Sequence, residues 1–346
     1  MLLDGIFVPL TTPFYRDGRL YVRKVEHNVD RFSKTPAAGM IALGPGSEAG
    51  ALSDEETREV LHAVAETAAK EKVLIAGVSR ESVRGSLAAA EAAAAEGFDA
   101  VLAAVPACCE RNADEARTYF GALADASPLP VILFSGHGLA ALPAEWVAEL
   151  SRHSNVIGMI DERLTVERYE ELSAATAGVS REVTVTQVFA AATARMLAVE
   201  STGAATFVSA ETLGSGSAVA VAPPQPALKT RTKVVGFQVL AGGTVEMVPL
   251  LAVGVAGAAP ELAACAPQAC YEVYAAWKDG DPKLSAEKAE RISSATRLLQ
   301  EELGVAGLKY ACDLNGYYGG APRLPRLPLD GAGRARVDEA MREIRN

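Results

Sequence analysis

VLIAGVSRESVRGSLAAAEAAAAEGFDAVLAAV, residues Val73 to Val105, holds a complete strand–helix–strand unit. Val73–Val78 and Ala100–Val105 are continuous apolar runs, the pattern of strands buried on both faces. Val83–Glu96 between them is dominated by Ala, Glu and Leu, which favour helix. A helical crossover makes the two strands parallel. Working outward, the same reading predicts strands at Ile6–Leu10, Gly39–Gly44, Val131–Phe134, Val156–Ile160, Val234–Leu240 and Leu251–Gly257. Helices fall between them. One opens at Ser53-Asp54-Glu55-Glu56, a capping box, and another is Ala144–Ser151. About eight β-then-α units predict an α/β fold, a TIM (β/α)8 barrel. The rival, an open doubly wound sheet, calls for a glycine-rich turn after the first strand, where this chain reads Thr11-Thr12-Pro13-Phe14.

The rhythm breaks before strand seven. Glu182–Phe189 and Ala204–Ala210 read as strands, and the Gly/Ser/Pro stretch Gly214–Pro226 follows. This is too long for an ordinary loop, so a β-containing insertion is expected at about 182–233. Its ends should lie at the bottom of the barrel, and pairing of Val219–Val221 with a second subunit would protect an exposed edge. The division expected is a barrel over 1–265 and a C-terminal helical segment over 266–346, with a proline-punctuated tail at Ala321–Leu329.

The 346 residues carry 33 Lys and Arg against 43 Asp and Glu, a net charge of −10, which argues against nucleic acid or an anionic membrane as partner. No apolar run is long enough to span a bilayer, and the start lacks the features of a secretory signal. Five cysteines without disulfide or zinc spacing fit a reducing cytoplasm. His27, His62, His137 and His153 lack the clustered spacing of a metal site, and no phosphate loop, dinucleotide fingerprint or serine-hydrolase elbow is present, so no metal and no cofactor is expected.

Several stretches together resemble the dihydrodipicolinate synthase and N-acetylneuraminate lyase family. They are Gly5–Phe14 with Asp17-Gly18, Gly44-Pro45-Gly46-Ser47-Glu48 with Leu52-Ser53 and Glu56, Ile75–Val78, Val105-Pro106 with Phe120, and Gly307-Leu308-Lys309-Tyr310 with Gly316, Pro322–Pro325 and Pro328-Leu329. The resemblance implies a Schiff-base lysine at the end of strand six, which condenses with a 2-keto acid such as pyruvate. The matching stretch here is Gly158-Met159-Ile160-Asp161, with Ile160 at the lysine position. The family tyrosine maps to Phe134, the threonine pair to Pro45 and Gly46, the neighbouring subunit's tyrosine to Cys108, and an arginine to about Leu139.

The resemblance therefore implies a family protein without Schiff-base aldolase activity on pyruvate. It would bind a small, 2-keto acid-like ligand or run altered chemistry. The alternative is an active lyase or aldolase with a relocated catalytic group. The expected pocket is Thr12, Pro45, Gly46, Ser47, Glu48, Cys108, Phe134, Ser135, His137, Ile160, Asp161 and Gln238, with Glu162 beside them. A Cys108–His137 thiolate pair and Mg²⁺ held by Asp161 and Glu162 are weaker readings. The family habit implies a homodimer or homotetramer.

Overall fold

The structure is a computed structural model and describes residues 1–136, 141–202 and 228–344. His137, Leu139, Ala204–Ala210 and Gly214–Pro226, including Val219–Val221, lie outside the described residues.

Strands β1 (Gly5–Pro9), β2 (Gly39–Ala42), β3 (Val73–Gly77), β4 (Ala100–Ala104), β5 (Val131–Ser135) and β6 (Val156–Asp161) appear in chain order. Next come the ribbon strands β7 (Arg181–Thr186) and β8 (Thr230–Val235), then β9 (Gln238–Ala241) and β10 (Gly257–Ala258). Every strand but β7 and β8 joins one closed barrel in the order β1-β10-β9-β6-β5-β4-β3-β2, with each neighbouring pair parallel. This is the TIM-barrel architecture expected from the strand–helix alternation.

The helices between the strands are α1 (Val22–Ser33), α2 (Asp54–Thr67), α3 (Val83–Ala95), α4 (Ala113–Ala126), α5 (Ala144–Leu150) and α6 (Val166–Ala175). The capping box forms at α2: Ser53 accepts from the Glu56 amide at 3.1 Å, and the Ser53 amide donates to Glu56 at 3.0 Å. After β7 come α7 (Ala194–Thr202) and α8 (Met247–Ala252). A C-terminal helical segment follows the barrel: α9 (Pro267–Lys278), α10 (Pro282–Thr296), α11 (Gly304–Leu314) and α12 (Gly331–Ala340).

The strands bury both faces, which explains their unbroken apolar runs. Phe7, Ile41, Ile75, Leu102, Ile132, Ile160 and Leu240 fill the barrel interior. Alternate residues such as Val8, Met40, Leu74, Val101 and Met159 join the layer between strands and helices. Gly158 is required by close strand packing, because a Cβ there would stand 2.4 Å from the Gln238 carbonyl oxygen.

Two strand expectations are corrected. Val234 and Val235 belong to β8, and barrel strand seven begins only at Gln238. Thr230–Val235 is exposed or half-buried throughout, unlike the fully buried β9, and Gly236-Phe237 separates the two. Leu251 is helical in α8, so the eighth strand shrinks to Gly257–Ala258; a short apolar run does not by itself distinguish helix from strand.

The β7–β8 ribbon sits at the N-terminal end of the barrel. Val183 and Val185 pack on Leu2. Arg181 donates to the carbonyls of Ser151 and His153, just ahead of β6, at 2.6 and 2.9 Å. The amide of Ala194 donates to Asp99, just ahead of β4, at 2.6 Å. Among the described residues, no helix is long and apolar enough to cross a membrane.

Candidate active site at the barrel mouth

Strand alternation decides which side chains reach the barrel axis. In β6, Ile160 points inward and is 2% exposed, paired in register with Phe134 of β5 and Leu240 of β9. A small cavity lies over it, lined by Pro9, Ile41, Pro45, Phe134, Ile160, Glu162, Gly242 and Glu261. A second cavity, of about 280 Å³, shares Pro45 and Phe134 and adds Gly44, Gly46, Glu48, Ser79 and Arg326. Both open where the C-terminal ends of strands converge, the catalytic end of this architecture. No lysine lines either cavity among the described residues, and Arg326 is the basic side chain that does.

Glu261 is the functional candidate that sequence reading missed. It opens the 3₁₀ turn Glu261–Ala264 that follows β10. Its carboxyl is pushed up to about 7, first by burial and then by the charge of Glu162. Gly46 makes room for it, since a Cβ there would lie 3.1 Å from Glu261 Oε1, and its φ of +79° suits glycine. Starting strand eight at Leu251, six residues before Gly257, hid this signal, an acidic residue just after a barrel strand's C-terminal end. A carboxyl half-protonated near neutrality can give or take a proton.

Other expected pocket residues lie elsewhere. Asp161 follows Ile160 and therefore points outward, into the helix layer. It accepts from the Arg163 amide at 3.0 Å and meets Arg168 Nε at 3.4 Å, while burial raises its carboxyl above the usual range. Asp161 and Glu162 thus face different ways and do not form the joint Mg²⁺ site considered above. Ser135, in register with Asp161, also faces outward, and its hydroxyl accepts from the Leu142 amide at 3.2 Å. Gln238 opens β9 at the opposite end of the barrel, where it accepts from the Leu3 amide at 2.7 Å and donates to the Met1 carbonyl at 3.1 Å.

Thr12 is buried and lines neither mouth cavity. Ser47 donates to the Gly44 carbonyl at 2.6 Å, a turn bond. Glu48 lines the second cavity, yet its carboxylate is committed elsewhere: it accepts from Lys309 Nζ at 2.6 Å and from the Arg323 amide at 2.8 Å. Lys309 is fully buried and holds no amine toward the mouth. Cys108 is exposed on the 3₁₀ turn after β4, with its Sγ 3.5 Å from Cys109 and 3.4 Å from the Glu81 carbonyl. These contacts push its thiol up to about 12, with Cys109 the larger cause and Glu81 next, so no activated thiolate forms there. The His137 partner lies outside the described residues.

Comparisons with known proteins agree with this architecture. The model of the dihydrodipicolinate synthetase family matches residues 2–215 and 226–344. A 4-hydroxy-tetrahydrodipicolinate synthase of Acidiphilium cryptum (strain JF-5) is 25% identical over 342 residues, covering 98% of each chain. An L-threo-3-deoxy-hexylosonate aldolase of Hypocrea jecorina is 25% identical over 354 residues, covering 98% of this chain and 95% of its own. Among solved structures, a prophage protein of the dihydrodipicolinic acid synthase family from E. coli K12, crystallised with pyruvate, superposes with a TM-score of 0.78 at 21% identity over 99% of both chains. With a closed parallel barrel and a family match across nearly its whole length, the chain belongs to the dihydrodipicolinate synthetase family.

Proposed function

We propose that this barrel binds a small 2-keto acid-like ligand at its mouth without forming a Schiff base, and that any chemistry there runs through carboxyl groups. One observation carries the reading: the inward side chain at the end of β6 is Ile160, packed beside Phe134, where the resemblance calls for a lysine and a tyrosine. An isoleucine offers no nucleophile, and no described lysine lines the cavities above it. Arg326, on the lining of the second cavity, would face the ligand's carboxylate. Glu261, protonated below about 7, would donate a hydrogen bond to a ligand oxygen or act as a general acid.

The test is borohydride reduction of the protein with pyruvate, read by intact mass beside calorimetric titration. Noncovalent binding without a mass gain supports the proposal. A covalent gain of one pyruvate equivalent overturns it and supports the second reading, an active aldolase with a relocated amine; peptide mapping would name that amine. The second reading draws support from relatives named as a synthase and an aldolase. We also place the protein as a homodimer or homotetramer, by family habit. A solution mass of one chain would remove that assignment.

A further inference from the structure

The C-terminal tail, α11, α12 and the Phe14–Arg16 segment border a third, open cavity, of about 690 Å³, beside the mouth. Arg16, Arg326 and Arg334 line it together with the aromatic rings of Phe14, Tyr310 and Tyr318. Its volume falls within the range of small-molecule sites. It shares only Arg326 with the mouth cavities.

The three guanidinium groups come from distant parts of the chain. Arg16 lies in the loop after β1, Arg326 in the proline-rich tail and Arg334 in α12. Salt bridges elsewhere engage Arg19, Arg117, Arg168, Arg291, Arg323, Arg336 and Arg342, but none of these three pairs with a carboxylate among the described residues. Arg334 instead stands 5.6 Å over the Tyr310 ring. It also sits near the N-terminal end of α12, the end of a helix that favours anions over cations.

One carboxylate, Asp313, shares the lining, and its Oδ1 is engaged by the amides of Gly319 and Gly320 at 2.9 and 3.4 Å. The cavity therefore gathers three positive charges against one negative, in a chain whose net charge is −10. Three exposed guanidinium groups without carboxylate partners, on a cavity walled by aromatic rings, suit a negatively charged organic ligand.

We propose that this cavity binds a small organic polyanion through the guanidinium groups of Arg16, Arg326 and Arg334, at a site that adjoins the barrel mouth and shares Arg326 with it. Phosphate and carboxylate groups share the chemistry required: planar forks recognise both. The proposal goes beyond the mouth reading, because Arg16 and Arg334 do not line the mouth.

The experiment is isothermal titration of the full chain with pyrophosphate and, separately, with citrate, at fixed ionic strength. Wild-type protein should bind one equivalent of at least one of them, and the arm that binds more tightly identifies the preferred anion. The double variant Arg16→Ala/Arg334→Ala should weaken binding by about tenfold or more, from loss of two charge-assisted contacts. Arg152→Ala removes a single charge from an exposed position outside the cavity and should leave affinity unchanged. Failure of both anions to bind overturns the proposal. Equal affinity in the double variant and wild type also overturns it, as does a loss in Arg152→Ala as large as in the double variant. Pyruvate titrated into the double variant keeps the two sites apart: unchanged pyruvate binding leaves the mouth reading standing whatever the polyanion does.

Discussion

Replacing Ile160 with lysine puts an amine on the barrel axis, against Phe134 and Leu240. Burial lowers an amine's pKa and so favours its nucleophilic form. The Ile160→Lys variant should gain one pyruvate-derived mass after borohydride while the wild type gains none, at the cost of a lower melting temperature. A folded variant that traps nothing would show that the ketone does not sit over β6. Glu261 makes a second residue-scale test. Its folded-state pKa is raised to about 7, so the unfolded chain loses this proton first. Stability then falls as pH rises from the ordinary glutamate range to about 7. Glu261→Gln should remove that slope, melting higher than wild type at pH 8 and close to it at pH 5. Ligand binding to wild type should tighten between pH 8 and pH 6, as the carboxyl gains its proton; a flat profile for both quantities would exclude Glu261 from the site. Cys108, held as a thiol by Cys109 and Glu81, should alkylate far more slowly at pH 8 than free cysteine, and Cys108→Ala should leave ligand affinity unchanged.

At the scale of elements, strand register sorts chemistry from scaffolding. Ile160 and Asp161 are neighbours in sequence, yet one faces the axis and the other the helices. The β7–β8 ribbon and the N-terminal segment close the opposite end, with Gln238 tying the Met1–Leu3 backbone to β9. Gln238→Leu leaves the buried Leu3 amide without its acceptor and should cost about 1–3 kcal/mol by urea denaturation, with no effect on mouth binding. A matching loss of ligand affinity would place Gln238 in the site after all. The insertion was legible as an interruption of the β/α rhythm, because it is too long for a loop. The boundary between β8 and β9 was not legible, because Val234–Leu240 reads as one apolar run until its pairing partners are known.

For the molecule as a whole, the C-terminal segment is fastened to the mouth by a buried ion pair. Lys309 of α11 donates to Glu48 of the β2–α2 loop at 2.6 Å and to the Ala321 carbonyl at 3.0 Å. The Lys309 ammonium also lies 4.5 Å over the Phe14 ring, with the Arg323 guanidinium 4.2 Å from the same ring. Arg323 in turn clasps Glu56 of α2. Removing one partner leaves the other charge buried, so Lys309→Met should cost about 3–5 kcal/mol in urea denaturation. Lys309→Met/Glu48→Gln should recover part of that loss. If the double variant is no more stable than the single, the pair is not coupled as the geometry requires.

The barrel was legible in the sequence because strands buried on both faces must be apolar throughout, and strong helix formers fill the segments between them; Val73–Val105 displays both. The place of Ile160 near the end of strand six was legible too, since a motif fixes its position relative to that strand. Tertiary structure decided the rest, because facing and convergence depend on register and closure. It turned Asp161 and Ser135 away from the axis, sent Gln238 to the far end and paired Glu48 with Lys309 across 261 residues. It also brought Glu261 to Gly46 and Glu162, and drew Arg16, Arg326 and Arg334 around one cavity. These are meetings of side chains far apart in the chain, and only the closed barrel and its docked C-terminal helices create them.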